Sequence, residues 1–136
     1  MKRLPFQILF LFLLLSKISF SQETSIVWTK DGLGYYEISE GNIIKKDPQK
    51  NTKVISFTKD QLTPTGASES LTPAAFFFNN NNSRLLIFTN TAKVWRYRTR
   101  GDYWILDISK NQLKQLGKGL ASQSLMFAKF SPDGLR

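Results

Sequence analysis

The sequence predicts an all-β protein assembled from repeated four-stranded units, and three observations predict it. The chain of 136 residues is 41% apolar and 13% aromatic, the composition of a globular, strand-rich protein rather than a disordered one. A turn signature recurs: Trp28-Thr29-Lys30-Asp31-Gly32, Phe78-Asn79-Asn80-Asn81-Asn82 and Phe130-Ser131-Pro132-Asp133-Gly134 all read aromatic-x-x-[DN]-[GN], at spacings of 50 and 52 residues. A second repeat, offset by 60 residues, sets Gly41-Asn42-Ile43-Ile44-Lys45-Lys46-Asp47 against Gly101-Asp102-Tyr103-Trp104-Ile105-Leu106-Asp107. Each copy runs through a polar turn into another short strand. Four antiparallel strands in ~50 residues is the unit of a β-propeller blade, so one and a half to two blades are expected.

The elements follow in chain order. Met1, Lys2 and Arg3 form a positive n-region, and Leu4 to Leu15 an apolar run of 12 residues broken only by Pro5 and Gln7. Ser19-Phe20-Ser21 places small residues where a signal peptidase reads, so residues 1–21 are expected to be a signal peptide and residues 22–136 the propeller portion. The apolar run is shorter than the ~20 residues of a spanning helix; retention of the leader as a membrane anchor is the lesser alternative to export into a periplasm or medium. Without the leader the chain has 16 Lys and Arg against 10 Asp and Glu, +6 rather than +9.

Alternation and turn residues predict strands over Ser25–Trp28, Leu33–Glu37, Asn42–Lys46 and Lys53–Ser56 in the first unit. They predict Ala74–Phe78, Arg84–Thr89, Asp102–Ile108 and Leu113–Leu116 in the second, with Leu125–Phe130 opening a third. Asp-Gly and Asn-Asn pairs tolerate positive φ and mark tight turns after strands that end in an aromatic. Thr58-Lys59-Asp60-Gln61 has the spacing of a capping box and predicts one helical turn up to Leu62. Thr63 to Pro73, rich in Thr, Ser, Gly and Pro, reads as the link between units.

Comparison of the units exposes an insertion. From Gly32 to Gly41 is 9 residues, whereas from Asn82 to Gly101 is 19. The ten added residues lie within Asn90–Arg100, NTAKVWRYRTR, and are expected to form a loop on a face of the disc, where binding residues are usually carried.

The absence of Cys and His from the chain excludes, within these residues, a disulfide, a thiol nucleophile, a Ser-His-Asp triad and a His-based zinc site. Asp31, Asp47, Asp107 and Asp133 are spaced as turn residues, and Asx-turn hydrogen bonding accounts for all four without a metal. Trp95, Tyr97, Tyr103 and Trp104 beside Arg98 and Arg100 could stack nucleic-acid bases. The leader argues against that, and Tyr103–Leu106 reads instead as a buried strand. No cofactor and no nucleic-acid partner are expected.

The segments Trp28–Gly32 and Asn42–Pro48, and above all Arg84–Thr91, Val94-Trp95-Arg96 and Thr99-Arg100-Gly101-Asp102-Tyr103-Trp104, resemble the N-terminal region of bacterial dipeptidyl peptidase IV-like proteins. These are serine peptidases of the prolyl oligopeptidase family. The resemblance implies a propeller capping a C-terminal α/β-hydrolase domain that lies beyond this chain. It also implies an enzyme that removes N-terminal dipeptides with Pro or Ala penultimate. The triad and a pair of Glu residues that hold the substrate's free amine would then come from later segments; no catalytic residue falls here, and this segment alone should be inactive. One functional residue carries over, Arg96, as a ligand to a carbonyl of the bound dipeptide, with Trp95 supporting its loop.

The end at Arg136, two residues past a turn and before its partner strand, gives the expectation of a longer reading frame. The implied partners are peptides with a free N-terminus and the hydrolase domain, with homodimerisation of the parent left open. A noncatalytic propeller for periplasmic protein interaction or glycan binding is the competing reading. The departure from the family's pattern is Asn79–Asn82 where Ser131–Gly134 keeps a Ser-Pro-Asp-Gly turn.

Overall fold

The computed structural model describes residues 25–134, so the expected signal peptide and Arg136 lie outside the described residues. Two antiparallel sheets account for the regular structure. The first has the order β1-β2-β3-β4, formed by β1 (Val27–Trp28), β2 (Tyr35–Ser39), β3 (Asn42–Asp47) and β4 (Thr52–Phe57). The second has the order β5-β6-β7-β8, formed by β5 (Pro73–Phe78), β6 (Arg84–Val94), β7 (Tyr97–Asp107) and β8 (Gln112–Gln115). A ninth strand, β9 (Leu125–Met126), pairs with β7 at Arg100 and Gly101. Each sheet is a four-stranded meander, as the repeats predicted. Leu125–Met126, however, extends the second sheet instead of opening a third, and residues 127–130 form no strand.

The second sheet is buried on both faces, and strand register shows how. Phe78 lies opposite Leu85, which lies opposite Leu106 and then Leu113; Phe76, Ile87 and Trp104 form the next row on that face. These side chains pack against Ile43, Phe57, Leu62, Tyr36 and Ile38 of the first unit, making the principal core between the sheets. Tyr36 and Phe78 meet across it with ring centroids 4.9 Å apart. The other face presents Ala75, Leu86, Phe88, Tyr103 and Ile105 to Leu125, Ala128 and Phe130. A strand apolar on both sides reads as the continuous run Leu85-Leu86-Ile87-Phe88.

The repeated turns superimpose chemically. Gly32, Asn82 and Gly134 have φ of 70°, 56° and 71°. Their N–H groups donate to Thr29, Asn79 and Ser131 carbonyls at 2.9, 3.0 and 2.9 Å. The turns also touch in series: Lys30 Nζ donates to the Asn80 carbonyl, and Asn80 Nδ2 donates to the Pro132 carbonyl, linking residues 50 and 52 apart. The sequence period is thus a ladder of equivalent turns along one rim. At the other turn pair, Asn51 and Asn111 have φ of 51° and 49°, and the carboxylates of Asp47 and Asp107 each accept the Lys50 or Lys110 N–H at 3.1 Å. Hydrogen bonds from the Ser109 hydroxyl and Lys110 N–H hold the Asp107 carboxyl below the usual carboxylate range.

Asn is tolerated at left-handed φ, whereas Ala there costs ~1–2 kcal/mol. Asn82→Ala is therefore expected to lower stability by about 1 kcal/mol, and Asn82→Gly to leave it within about 0.5 kcal/mol because relief of strain is offset by chain entropy. Paired urea melts check this; equal losses in both variants would show that the turn depends on the Asn side chain, not on φ.

The capping box forms, with Thr58 N donating to Gln61 Oε1 at 3.1 Å and Gln61 N to Thr58 Oγ1 at 3.4 Å. It closes a single turn through Leu62 N to the Thr58 carbonyl, 3.2 Å, and ends at Thr63, whose N–H donates to the Asp60 carbonyl at 3.1 Å. That turn inserts Leu62, fully buried, into the core between sheets.

Candidate functional site: the basic ribbon and its tip

The inserted residues do not form a loose loop. They prolong β6 and β7 into a two-stranded ribbon, each strand 11 residues long, that closes through the register pair Val94–Tyr97. Trp95 and Arg96 are the two central turn residues. Trp95 has φ 59°, and Arg96 is not among the positive-φ residues. Positive φ at the first central position of a two-residue hairpin turn is usually met by Gly, Asn or Asp. A Trp in the left-handed region is a genuine outlier, costing ~1–2 kcal/mol.

The tip is open to solvent. Trp95 is 94% exposed and Tyr97 71%. Arg96 is exposed, and among the described residues its guanidinium has no hydrogen-bond or ion-pair partner. Trp95 packs on little among the described residues; it and Arg96 are the two residues of the turn between β6 and β7. The neighbouring Arg98 is committed, Nη1 donating to the Thr91 carbonyl at 2.9 Å, as is Arg100, Nε donating to the Gln123 carbonyl at 2.9 Å. Of the three arginines in the insertion, Arg96 is the one whose side chain has no hydrogen-bond partner among the described residues.

Below the tip the ribbon is irregular. Register shifts occur between Thr89 and Ala92 and between Ala92 and Lys93, so each strand carries a bulge. Asn90 sits at φ 46° inside the first. Its Nδ2 donates to Asp102 Oδ2 at 2.7 Å and to Ser122 Oγ at 2.8 Å, and its Oδ1 accepts Gln123 Nε2 at 3.0 Å. Asp102 Oδ1 accepts the Gln123 N–H at 2.8 Å. This clamp was missed in the sequence because its members are 12 to 33 residues apart and share no local motif.

Two clefts lie elsewhere: one of about 710 Å³ at the turn rim between the sheets, and an apolar one of about 510 Å³ beside Phe77, Phe88, Phe127 and Arg98. Arg96 lines neither. Among the described residues no three acidic side chains gather into a group that could hold a metal. What the ribbon offers chemically is a planar, multi-donor cation whose chain neighbours, Trp95 and Tyr97, are exposed aromatics, suited to carbonyl or carboxylate oxygens.

Residues 79–136 match the family model described as the dipeptidyl peptidase IV (DPP IV) N-terminal region. The chain is 25% identical over 100 residues to a probable dipeptidyl-aminopeptidase B of Paracoccidioides brasiliensis, covering 73% of this chain and 11% of that protein. It is 24% identical over 113 residues to another so named from Ajellomyces dermatitidis, covering 82% and 12%. The chain thus spans about an eighth or less of these relatives' length. In fold it is similar to the crystal structure of Porphyromonas gingivalis dipeptidyl peptidase 4, with a TM-score of 0.68 at 18% identity over 98% of this chain and 18% of that one.

Proposed function

We propose that this chain, similar to the dipeptidyl peptidase IV N-terminal region over residues 79–136, is the leading part of an exported serine exopeptidase releasing X-Pro or X-Ala dipeptides from peptide N-termini. In this reading a hydrolase domain of the same protein performs acyl transfer, and this segment helps to form the vestibule through which the peptide enters. Arg96 binds the substrate. The observation that carries the proposal is its placement: a side chain with unused donors at the apex of an added ribbon, held there by a strained Trp95. Strain retained in an exposed turn that Gly would relieve points to a functional constraint on the residues it presents.

The chemistry is positional. A guanidinium donates charge-assisted hydrogen bonds to a carbonyl oxygen of the bound dipeptide and fixes its register for attack, while bond-making belongs to the nucleophile elsewhere. In the full-length protein, Arg96→Ala is expected to raise KM for an X-Pro chromogenic substrate and lower kcat/KM roughly tenfold, the worth of about one charge-assisted hydrogen bond. Its melting point should not move, since the side chain is exposed at a hairpin tip. Unchanged kinetics would remove Arg96 from the site, and no dipeptide release by the full-length protein would remove the peptidase reading itself. The leader is read as a cleaved signal peptide, checked by the N-terminal mass of the exported protein.

A further inference from the structure

The ribbon that carries Arg96 leaves the sheet and has little to hold it. Beyond the pair Thr89–Asp102, its strands pair with each other, and only Arg100 and Gly101 gain the extra partner β9. An isolated two-stranded hairpin is marginal in water, and bulges bend and twist such strands further. The direction of the tip must therefore be set at the bulges. At that level lies Asp102, opposite Thr89 in register and next to the bulged Asn90.

We propose that Asp102, through the clamp it makes with Asn90 and Gln123, is a positioning residue that aims Arg96 at the substrate; this rests on the reading of Arg96 as a substrate ligand. The carboxylate accepts from three directions: Asn90 Nδ2 at 2.7 Å, Gln123 N at 2.8 Å and Ser122 Oγ at 3.4 Å. Gln123 Nε2 returns to Asn90 Oδ1 at 3.0 Å, and the Gln123 carbonyl accepts Arg100 Nε at 2.9 Å, so the loop before β9 is bonded to both strands of the ribbon. Two left-handed residues, Asn90 at 46° and Gln123 at 58°, hold the backbone where these bonds close. From Asp102 to Arg96 is six residues of extended chain, ~20 Å at the usual rise per residue. Over such an arm a rotation of about 5° at the clamp displaces the tip by roughly 2 Å, and misplacement by about 1 Å can cost a site up to 100-fold. The clamp is thus far from the chemistry yet sets its geometry.

The test uses the full-length protein with Asp102→Ala, Arg96→Ala and the two combined. Two readouts are taken: hydrogen exchange of the ribbon amides 93–98, and the kinetics of X-Pro cleavage. Asp102→Ala is expected to speed ribbon exchange about tenfold and raise KM about fivefold. The double variant should then be no worse than Arg96→Ala within about twofold, because an aiming residue has nothing left to aim.

The exchanged pair Asn90→Asp with Asp102→Asn keeps every donor facing an acceptor: the new amide donates to the new carboxylate, and its oxygen still accepts the Gln123 N–H. It should return both readouts to within about twofold of the unaltered protein, and it decides the matter if Asp102→Ala lowers the melting point of the whole fold. Unchanged exchange in Asp102→Ala overturns the clamp. Faster exchange with KM unchanged, or losses that add to those of Arg96→Ala, overturns the aiming role while leaving Arg96 in the site. An exchanged pair as impaired as Asp102→Ala overturns it as well. An Arg96→Ala variant with unaltered kinetics sinks the substrate-ligand reading first, and the aiming role with it.

Discussion

Phe76→Ala is expected to destabilise the fold by about 3–5 kcal/mol, the usual cost of deleting a fully buried phenyl ring. The ring is 0% exposed and lies in the row Phe76, Ile87 and Trp104, facing the first sheet. It stands edge-on to Phe78 at 6.1 Å, and Phe78 in turn contacts Phe57 and Tyr36 of the first unit. Removing Phe76 therefore opens a cavity at the junction of two sheets, where collapse of one would separate it from the other. Domains of this size are stable by only about 5–15 kcal/mol, so the loss is a large part of the whole. Urea melts should show a lower midpoint at unchanged slope. The neighbour Phe77, on the opposite face and 48% exposed, provides the control: Phe77→Ala should cost about 1 kcal/mol or less. Equal losses at the two positions would mean that the junction between sheets is not where the stability lies.

The strand holding Phe76 and Phe77 was legible in the sequence, as was most of the framework, because strands and tight turns are local chemistry; which of the two rings is buried was not, since residues 74–78 are apolar throughout. Gly32, Asn82 and Gly134 announced themselves as positions tolerant of positive φ, and all three adopt it. The rim ladder from Lys30 through Asn80 to Pro132 is the spatial form of a period visible in the one-dimensional text.

The ribbon was less legible. Residues 90–100 alternate in part, as in Trp95-Arg96-Tyr97-Arg98-Thr99-Arg100, but their turn lacks Gly or Asn, since Trp95 occupies the position where Gly is usual; no turn signal distinguished a hairpin from a loop. The exposure of Trp95 was equally hidden, because an aromatic beside a candidate ligand residue reads by default as a packed anchor. Leu125 looked like the start of a new unit, yet it pairs with Gly101, and Met126 with Arg100, a choice made by a strand edge about 25 residues away and not by Leu125 itself. The same holds for the clamp: Asp102, Asn90 and Gln123 become a unit only once β7 and the loop before β9 are brought together.

Gly101 is where framework and ribbon meet, and Gly101→Ala is expected to cost about 3 kcal/mol, the upper end of ordinary overpacking. A Cβ built there would sit 2.4 Å from Phe88 Cε2 and 2.7 Å from the Thr89 carbonyl oxygen. Neither neighbour can yield easily. The Phe88 ring is stacked on Tyr103 with centroids 4.7 Å apart, and the Thr89 residue is fixed by the β6–β7 ladder and by its hydroxyl, which donates to the Thr72 carbonyl at 2.7 Å. The glycine is needed here for space and not for φ, which distinguishes it from Gly66, at φ 83°, where a Cβ would meet nothing within 4 Å. Gly66→Ala should cost only the backbone term, about 1 kcal/mol.

If strand separation at Gly101 is what relieves the clash, the damage spreads along a defined path. Gly101 pairs with Leu125, so β9 should detach, and with it the Gln123 bonds to Asp102 and Arg100. The expected result is faster hydrogen exchange over residues 89–102 and 121–126, with the rim turns unchanged. A loss of about 1 kcal/mol or less, with exchange unaltered at β9, would show that Phe88 has room to move and that the close approach of β6 and β7 is not required to seat the ribbon.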